Sequence, residues 1–133
     1  MANSIIQLTK RGANLLLGIA MLATSILLIA YVHISISEIL FTFNPYPFYF
    51  VGIIFGFERI FYGITGSSKL LTLINGDLPA FGHLALFMIL LTLGIYIVTY
   101  TIAYTELMLQ LLNALNGISY LLYALMIFKA WHM

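Results

Sequence analysis

The chain has 133 residues, of which 63% are hydrophobic and only 7% are charged. Soluble domains carry about a quarter charged residues, so this composition excludes an ordinary soluble domain and indicates an outer surface that contacts lipid or other apolar protein. The formal net charge is +1, and the absence of cysteine excludes disulfides and thiolate chemistry.

The first predicted helix begins near Thr9 or Gly12 and runs to about Ile39. Residues 12–37 contain no Lys, Arg, Asp or Glu, and such a run is long enough to cross about 30 Å of hydrocarbon. It is also longer than the apolar stretch of a secretory signal, which favours a retained helix. The sequence Asn-Pro-Tyr-Pro at 44–47 ends this helix, because each proline removes a backbone donor and restricts its predecessor.

The second helix is predicted over 48–64. Gly52 and Gly56 form a GxxxG pattern, and Gly63 follows one heptad after Gly56. Small residues at this spacing allow two helix backbones to approach closely, so these three glycines are candidate helix-packing residues. Glycine is also simply common in apolar helices, and that alternative stays open at this point.

The most polar stretch, 65–80, is predicted to be a linker, since Asn75-Gly76 is a strong turn signal. The third helix follows over about 80–104. The fourth has two candidate starting points: either Thr105-Glu106 caps it, or a turn at Asn116-Gly117 precedes it. In both interpretations an apolar helix reaches Phe128.

The two halves of the chain resemble each other. Segments 8–66 and 78–131 each read as a helical hairpin, and the hydroxyl-Glu pairs at 37–38 and 105–106 coincide when the halves are aligned. Internal duplication and chance similarity between apolar helices both explain this. The prediction is one all-α domain, 1–133, with four hydrophobic, transmembrane-like helices arranged as two tandem hairpins.

The few basic residues are placed so that an up-and-down bundle gathers them at one end, with Glu38 and Glu106 at the other. These candidate residues are Lys10, Arg11, Lys69 and Lys129. In a cell membrane this basic end would face the cytoplasm. In a particle it could face nucleic acid, whose phosphates attract Lys and Arg.

Glu58 and Arg59 are adjacent ions inside the second apolar helix. Ionisable groups at such depth are costly and are candidates for function. Because neighbouring helix residues point about 100° apart, we expect each to meet a neighbouring helix or subunit, and the two are a candidate intersubunit ion pair. A structural ion pair is favoured over a transport or proton-relay role.

No enzyme, cofactor or metal site is predicted. His33, His83 and His132 are scattered and lack a ligand spacing such as HExxH. There is no glycine-rich phosphate loop, and no Ser/His/Asp arrangement is visible in the sequence.

Over residues 12–128 the tandem apolar hairpins, very low charge, missing cysteine and Ile/Leu/Tyr-rich composition resemble the major coat proteins of tailed spindle-shaped viruses of hyperthermophilic archaea. The resemblance implies a structural subunit that packs with itself in helical strands around double-stranded DNA. It implies location in the virion, and in the host membrane before assembly. Lys10, Arg11, Lys69 and Lys129 would then face DNA phosphates.

Two further functions remain open for an integral cell membrane protein. One is an accessory subunit of a respiratory or hydrogenase complex, since such subunits are often featureless apolar helices. The other is a small four-helix multidrug-type transporter. Such transporters carry one essential carboxylate in their first helix. In this chain the acid of helix 1 is Glu38, which lies at the end of the helix rather than in its middle, and this departure weakens the transporter alternative.

Overall fold

The computed structural model describes residues 2–32, 44–66 and 79–128. This part of the chain contains four α-helices and no strand, which confirms the predicted all-α fold. The helices are α1 (Ala2–Tyr31), α2 (Tyr46–Thr65), α3 (Pro79–Tyr100) and α4 (Leu107–Phe128), with a 3-10 turn at Thr101–Ala103 between the last two. Each of the four is long and apolar enough to cross a membrane.

Helix α1 begins earlier than predicted, at Ala2 rather than near Thr9 or Gly12. Lys and Arg are good helix formers, so the charged pair after Thr9 marks the end of the apolar run without ending the helix. The described helix ends at Tyr31, and the predicted continuation to Ile39 lies outside the described residues.

The second helix begins where proline geometry allows it. Pro45 is the residue before α2, Pro47 falls in its first turn, and the Asn44 side chain accepts a hydrogen bond of 3.0 Å from the Tyr46 backbone N–H. Proline is tolerated in a first turn because its missing N–H would have no partner there. Helix α2 ends at Thr65, and Gly66, which follows it, has a φ of 75°, the left-handed conformation that favours glycine.

The boundary between the last two helices lies at 101–106, and the alternative turn at Asn116-Gly117 was wrong. Both residues lie inside α4. The Gln110 side chain donates a hydrogen bond of 2.6 Å to the Tyr104 carbonyl, and this bond spans the turn at 101–106. Local turn propensity at Asn116 is overridden by tertiary contacts that place its side chain in the core.

The helices pack as two antiparallel hairpins, α1 with α2 and α3 with α4, and the hairpins join mainly where α1 meets α4. Tyr49 and Glu58 of α2 meet Asn113 and Tyr123 of α4, respectively, so these two helices run in the same direction and the open ends of both hairpins lie on one side. The apolar part of the core includes Met21, Leu28, Leu90 and Ile97, all 0% exposed. The internal duplication of 8–66 and 78–131 remains a prediction.

Candidate functional site

The three glycines singled out in α2 lie at its contact with α1. A Cβ atom on Gly56 would lie 2.8 Å from Leu22 Cβ, and one on Gly63 would lie 2.6 Å from Leu15 Cβ. A Cβ on Gly52 would collide with the Ser25 hydroxyl. Only glycine therefore allows the two backbones of the first hairpin to approach this closely.

Three further glycines, which the sequence pattern did not reveal, make equally close contacts. Gly18 faces Gly56 across the first hairpin, where an added Cβ would lie 2.8 Å from the Gly56 carbonyl oxygen. Gly94 and Gly117 face each other across the second hairpin, with each added Cβ 3.1 Å from the other's carbonyl oxygen. In each hairpin, glycine thus allows the two helix backbones to pack directly against each other.

Glu58 and Arg59 form a buried ion pair within one chain. Arg59 is 0% exposed and Glu58 is 8% exposed, and both carboxylate oxygens accept hydrogen bonds from the Arg59 guanidinium. The sequence had suggested that each ion meets a neighbouring helix or subunit, whereas the structure pairs the two adjacent side chains with each other inside one chain. The long arginine side chain reaches back to its neighbour because both side chains are confined in the core between helices.

Neighbouring helices complete this ion pair. Asn14 of α1 accepts a hydrogen bond of 2.9 Å from Arg59, and the Tyr123 hydroxyl of α4 donates one of 3.1 Å to Glu58. The Arg59 guanidinium carbon also lies 4.9 Å from the ring centroids of Tyr62 and Tyr123, a distance at which cation–π attraction is favourable. Both ions are therefore neutralised and hydrogen-bonded inside the bundle.

A second polar contact joins the hairpins at the level of Asn116. The Asn116 amide donates hydrogen bonds of 2.9 Å to the Thr24 hydroxyl and 2.8 Å to the Ser25 hydroxyl of α1. Thr24 in turn donates to the Ala20 carbonyl. Asn116 is 0% exposed, so this contact is removed from the apolar exterior.

A third polar contact lies near the turn end of the bundle. The Tyr49 hydroxyl of α2 lies 2.6 Å from Asn113 Oδ1 and 2.8 Å from the Tyr104 hydroxyl. Asn113 donates to the Ile97 carbonyl and to the Thr101 hydroxyl. Burial raises the pKa of the Tyr104 phenol above its usual value, so this group stays protonated and able to donate.

We call these three contacts the polar seam. They run along one face of α4, where polar residues recur every three or four positions. Within the seam, every hydrogen bond that joins the two hairpins involves α4 or the turn before it. The residues are Asn14, Thr24, Ser25, Tyr49, Glu58, Arg59, Tyr104, Asn113, Asn116 and Tyr123. Apart from Glu58 and Arg59, sequence inspection missed them. Polar residues such as Asn14 and Asn113 inside apolar helices were the available signal.

The basic residues have different environments. The Arg11 guanidinium donates hydrogen bonds to the Gly63 and Ile64 carbonyls, which are unpaired acceptors at the end of α2. The Arg11 side chain is therefore occupied by the carbonyl groups at the end of α2. The Lys10 side chain lies at the same end of the bundle and is half-buried. Lys69 and Lys129 lie outside the described residues.

Within the described ranges, no group of three His, Cys, Asp or Glu side chains is placed to hold a metal ion. His33 and His132 lie outside these ranges, and for His83 only the backbone is described. Comparisons with protein-family models, with curated protein sequences and with solved structures found no match to this chain.

Proposed function

We propose that this chain is a structural subunit that self-associates laterally, and specifically the major coat protein of a virion that packs in helical strands around double-stranded DNA. The observation that carries the proposal is the apolar exterior. Large hydrophobic side chains are exposed on all four helices, among them Leu16 at 70%, Phe57 at 60%, Ile89 at 53% and Leu111 at 56%.

This exterior cannot remain in contact with water. Burying apolar surface contributes about 25 cal/mol per Å², so a shared face of several hundred Å² stabilises a contact by many kcal/mol before the entropy cost of association. Neighbouring copies supply such a face in a coat, and lipid supplies it before assembly. Because apolar contacts are non-directional, strands held together in this way can shift past one another.

The state of the buried ions supports a structural role over transport. Glu58 is held by Arg59 and by Tyr123, and Arg59 also contacts Asn14. A carrier needs an ionisable group that can exchange its partner for a substrate or a proton. Here the two ions together are held by side chains of three helices, which suits a pair that fixes how helices pack.

The basic end of the bundle is proposed to face DNA. Phosphate contacts by lysine are electrostatic and independent of sequence, as a coat that covers a whole genome requires. Lys10 carries this role among the described residues, with Lys69 and Lys129 as further candidates. Arg11 is less available because it binds the end of α2.

Removal of detergent from the purified chain, with linear double-stranded DNA present, tests the proposal. Filaments, tubes or spindles with laterally packed subunits are expected by electron microscopy. Single copies that stay dispersed in a lipid bilayer, or that bind one-to-one to a redox complex, would overturn it in favour of an accessory membrane subunit. Proton or cation flux into liposomes that Glu58→Gln abolishes would overturn it in favour of a transporter.

A further inference from the structure

Helix α1 extends past its partner helix at the open end of the bundle. Its 30 residues span about 45 Å and the 20 residues of α2 span about 30 Å, at about 1.5 Å per residue. Arg11 lies level with the end of α2, because its side chain binds the Gly63 and Ile64 carbonyls and its own carbonyl oxygen would lie 3.0 Å from a Cβ on Gly63. Residues 2–9 therefore project beyond α2, and we call them the α1 overhang.

The overhang has an apolar face that points away from the bundle. Ile5 and Leu8 are 62% and 65% exposed. Leu8 lies about three helical turns before Ile19, so the two residues share the face along which α1 is exposed over the rest of its length. Gln7 and Lys10 lie on the opposite side of the helix, since successive residues are rotated by about 100°.

Lipid tails do not reach this face when α2 spans a membrane. A bilayer has about 30 Å of hydrocarbon, which the length of α2 matches, and about 40–45 Å with both headgroup layers, so each headgroup layer is about 5–7 Å thick. Ile5 precedes Arg11 by about 9 Å along the helix axis. Ile5 therefore lies beyond the headgroups, in water, and Leu8 lies among them.

The overhang also cannot turn this face down onto the membrane surface. Helix α1 is continuous from Ala2 to Tyr31, so the overhang follows the axis of the membrane-spanning part. An amphipathic helix that covers its apolar face with lipid lies in the plane of the interface instead. The cover for Ile5 and Leu8 must therefore be protein.

We infer that the apolar face of the α1 overhang packs against the same face of a second copy. This inference rests on the proposed self-association and names a contact that lies outside the lipid. Copies side by side in one membrane or one coat have the same orientation, so their overhangs stand parallel and at the same height. Ile5 and Leu8 then meet their counterparts. Lys10 lies on the opposite side of the helix, so the pairing does not bring these like charges together.

The contact is small, and this limits what it does. A few apolar side chains present much less area than the roughly 1,000 Å² that a specific interface in dilute solution needs. Copies confined to one membrane or coat meet at a high effective concentration, where a small contact is enough to select which faces meet. Contact between like faces closes as a two-fold pair. Each pair would present two Lys10 side chains, on its outer sides, to DNA phosphates.

Cysteine cross-linking tests the pairing, because the native chain has no cysteine. Ile5→Cys and Leu8→Cys, reconstituted in phosphatidylcholine vesicles and oxidised with a water-soluble catalyst, should each give covalent dimers. The matched control is Gln7→Cys, at an exposed position of the same overhang on the opposite side of the helix, and it should stay monomeric. Dimers of Gln7→Cys in equal yield would overturn the inference, because they show contact without a preferred face.

Labelling of single copies tests the height of the overhang. In vesicles that hold at most one copy each, Ile5→Cys should react with an impermeant maleimide as fast as Gln7→Cys does. Ile26→Cys, at a position 47% exposed within the bundle, should be protected by lipid. Protection of Ile5→Cys in single copies would overturn the inference, because lipid or the chain itself then covers the face.

A third measurement separates this inference from the proposed function. Ile5→Ser/Leu8→Ser should raise the dissociation constant of the pair in vesicles, measured by energy transfer between labelled copies, about tenfold or more, whereas Gln7→Ser should leave it unchanged. Circular dichroism verifies that helix content is retained. Filaments or tubes that form without Ile5→Cys dimers would overturn the overhang contact and leave self-association standing. Copies that stay dispersed at high density in lipid would overturn both.

Discussion

The Tyr123 hydroxyl donates a hydrogen bond of 3.1 Å to Glu58 Oε2, and this bond joins α4 of the second hairpin to α2 of the first. The Tyr123 ring also lies 4.9 Å from the guanidinium carbon of Arg59. One tyrosine therefore contacts both ions of the buried pair. Glycine allows close packing within each hairpin, and polar contacts of this kind hold the two hairpins to one another.

The ion pair should be needed for stability. Glu58→Gln leaves the buried Arg59 without its anion, and breaking a buried pair in this way costs about 3–5 kcal/mol. Tyr123→Phe keeps the ring and removes one hydrogen bond, so the expected loss is about 1 kcal/mol. Thermal unfolding in detergent measures both. Tyr31→Phe, at a tyrosine that is 51% exposed, is the control, and a Glu58→Gln variant as stable as this control would contradict the structural role.

Glycine substitutions should separate close packing from helix propensity. Gly117→Ala places a methyl group 2.9 Å from the Val98 backbone nitrogen, and Gly56→Ala places one 2.9 Å from the Leu22 nitrogen. Such overpacking costs about 1–3 kcal/mol. Gly12→Ala meets nothing within 4 Å and should gain up to about 1 kcal/mol from helix propensity. Equal effects of all three on the unfolding temperature would show that the crossings tolerate a side chain.

The topology predicts which positions share a side of a bilayer. Single cysteines at Ser4 and Ser67 should react with an impermeant reagent from one side of a vesicle, and a cysteine at Thr105 should react from the other. The reason is that α2 and α4 run in the same direction, so the open ends of both hairpins lie together and the α3–α4 turn lies at the opposite end. Reaction of the Ser4 and Ser67 positions from opposite sides would exclude the up-and-down arrangement.

Two neighbouring basic residues should differ in what they support. Lys10→Gln should reduce the slope of log affinity for DNA against log salt by about 1, with little change in stability. Arg11→Gln removes the hydrogen bonds to the Gly63 and Ile64 carbonyls and should lower stability by about 1 kcal/mol. Salt titration of DNA binding and thermal unfolding measure the pair. A reversed pattern would show that Arg11, and not Lys10, contacts phosphate.

The composition and the positions of helix-breaking residues determined most of the fold. Very few charges, four long apolar runs and breaks at Pro45 and near Thr105 are enough to specify four membrane-type helices, because proline and turn residues end helices for local reasons. The spacing of Gly52, Gly56 and Gly63 likewise pointed to the face of α2 that packs on α1, since a small-residue pattern depends on helix periodicity alone.

Tertiary structure decided where polar groups go. Asn116-Gly117 reads as a turn in isolation, yet burial of the Asn116 amide against Thr24 and Ser25 keeps α4 continuous. Adjacent side chains in a helix point apart, yet Arg59 pairs with Glu58 where α1 and α4 enclose both side chains. The side chains that hold Asn116, and the Asn14 and Tyr123 side chains that contact the Arg59–Glu58 pair, are distant in the chain, and helix periodicity does not say which of these residues meet. These residues meet only because the two hairpins, each packed closely at glycine, dock with the polar face of α4 between them.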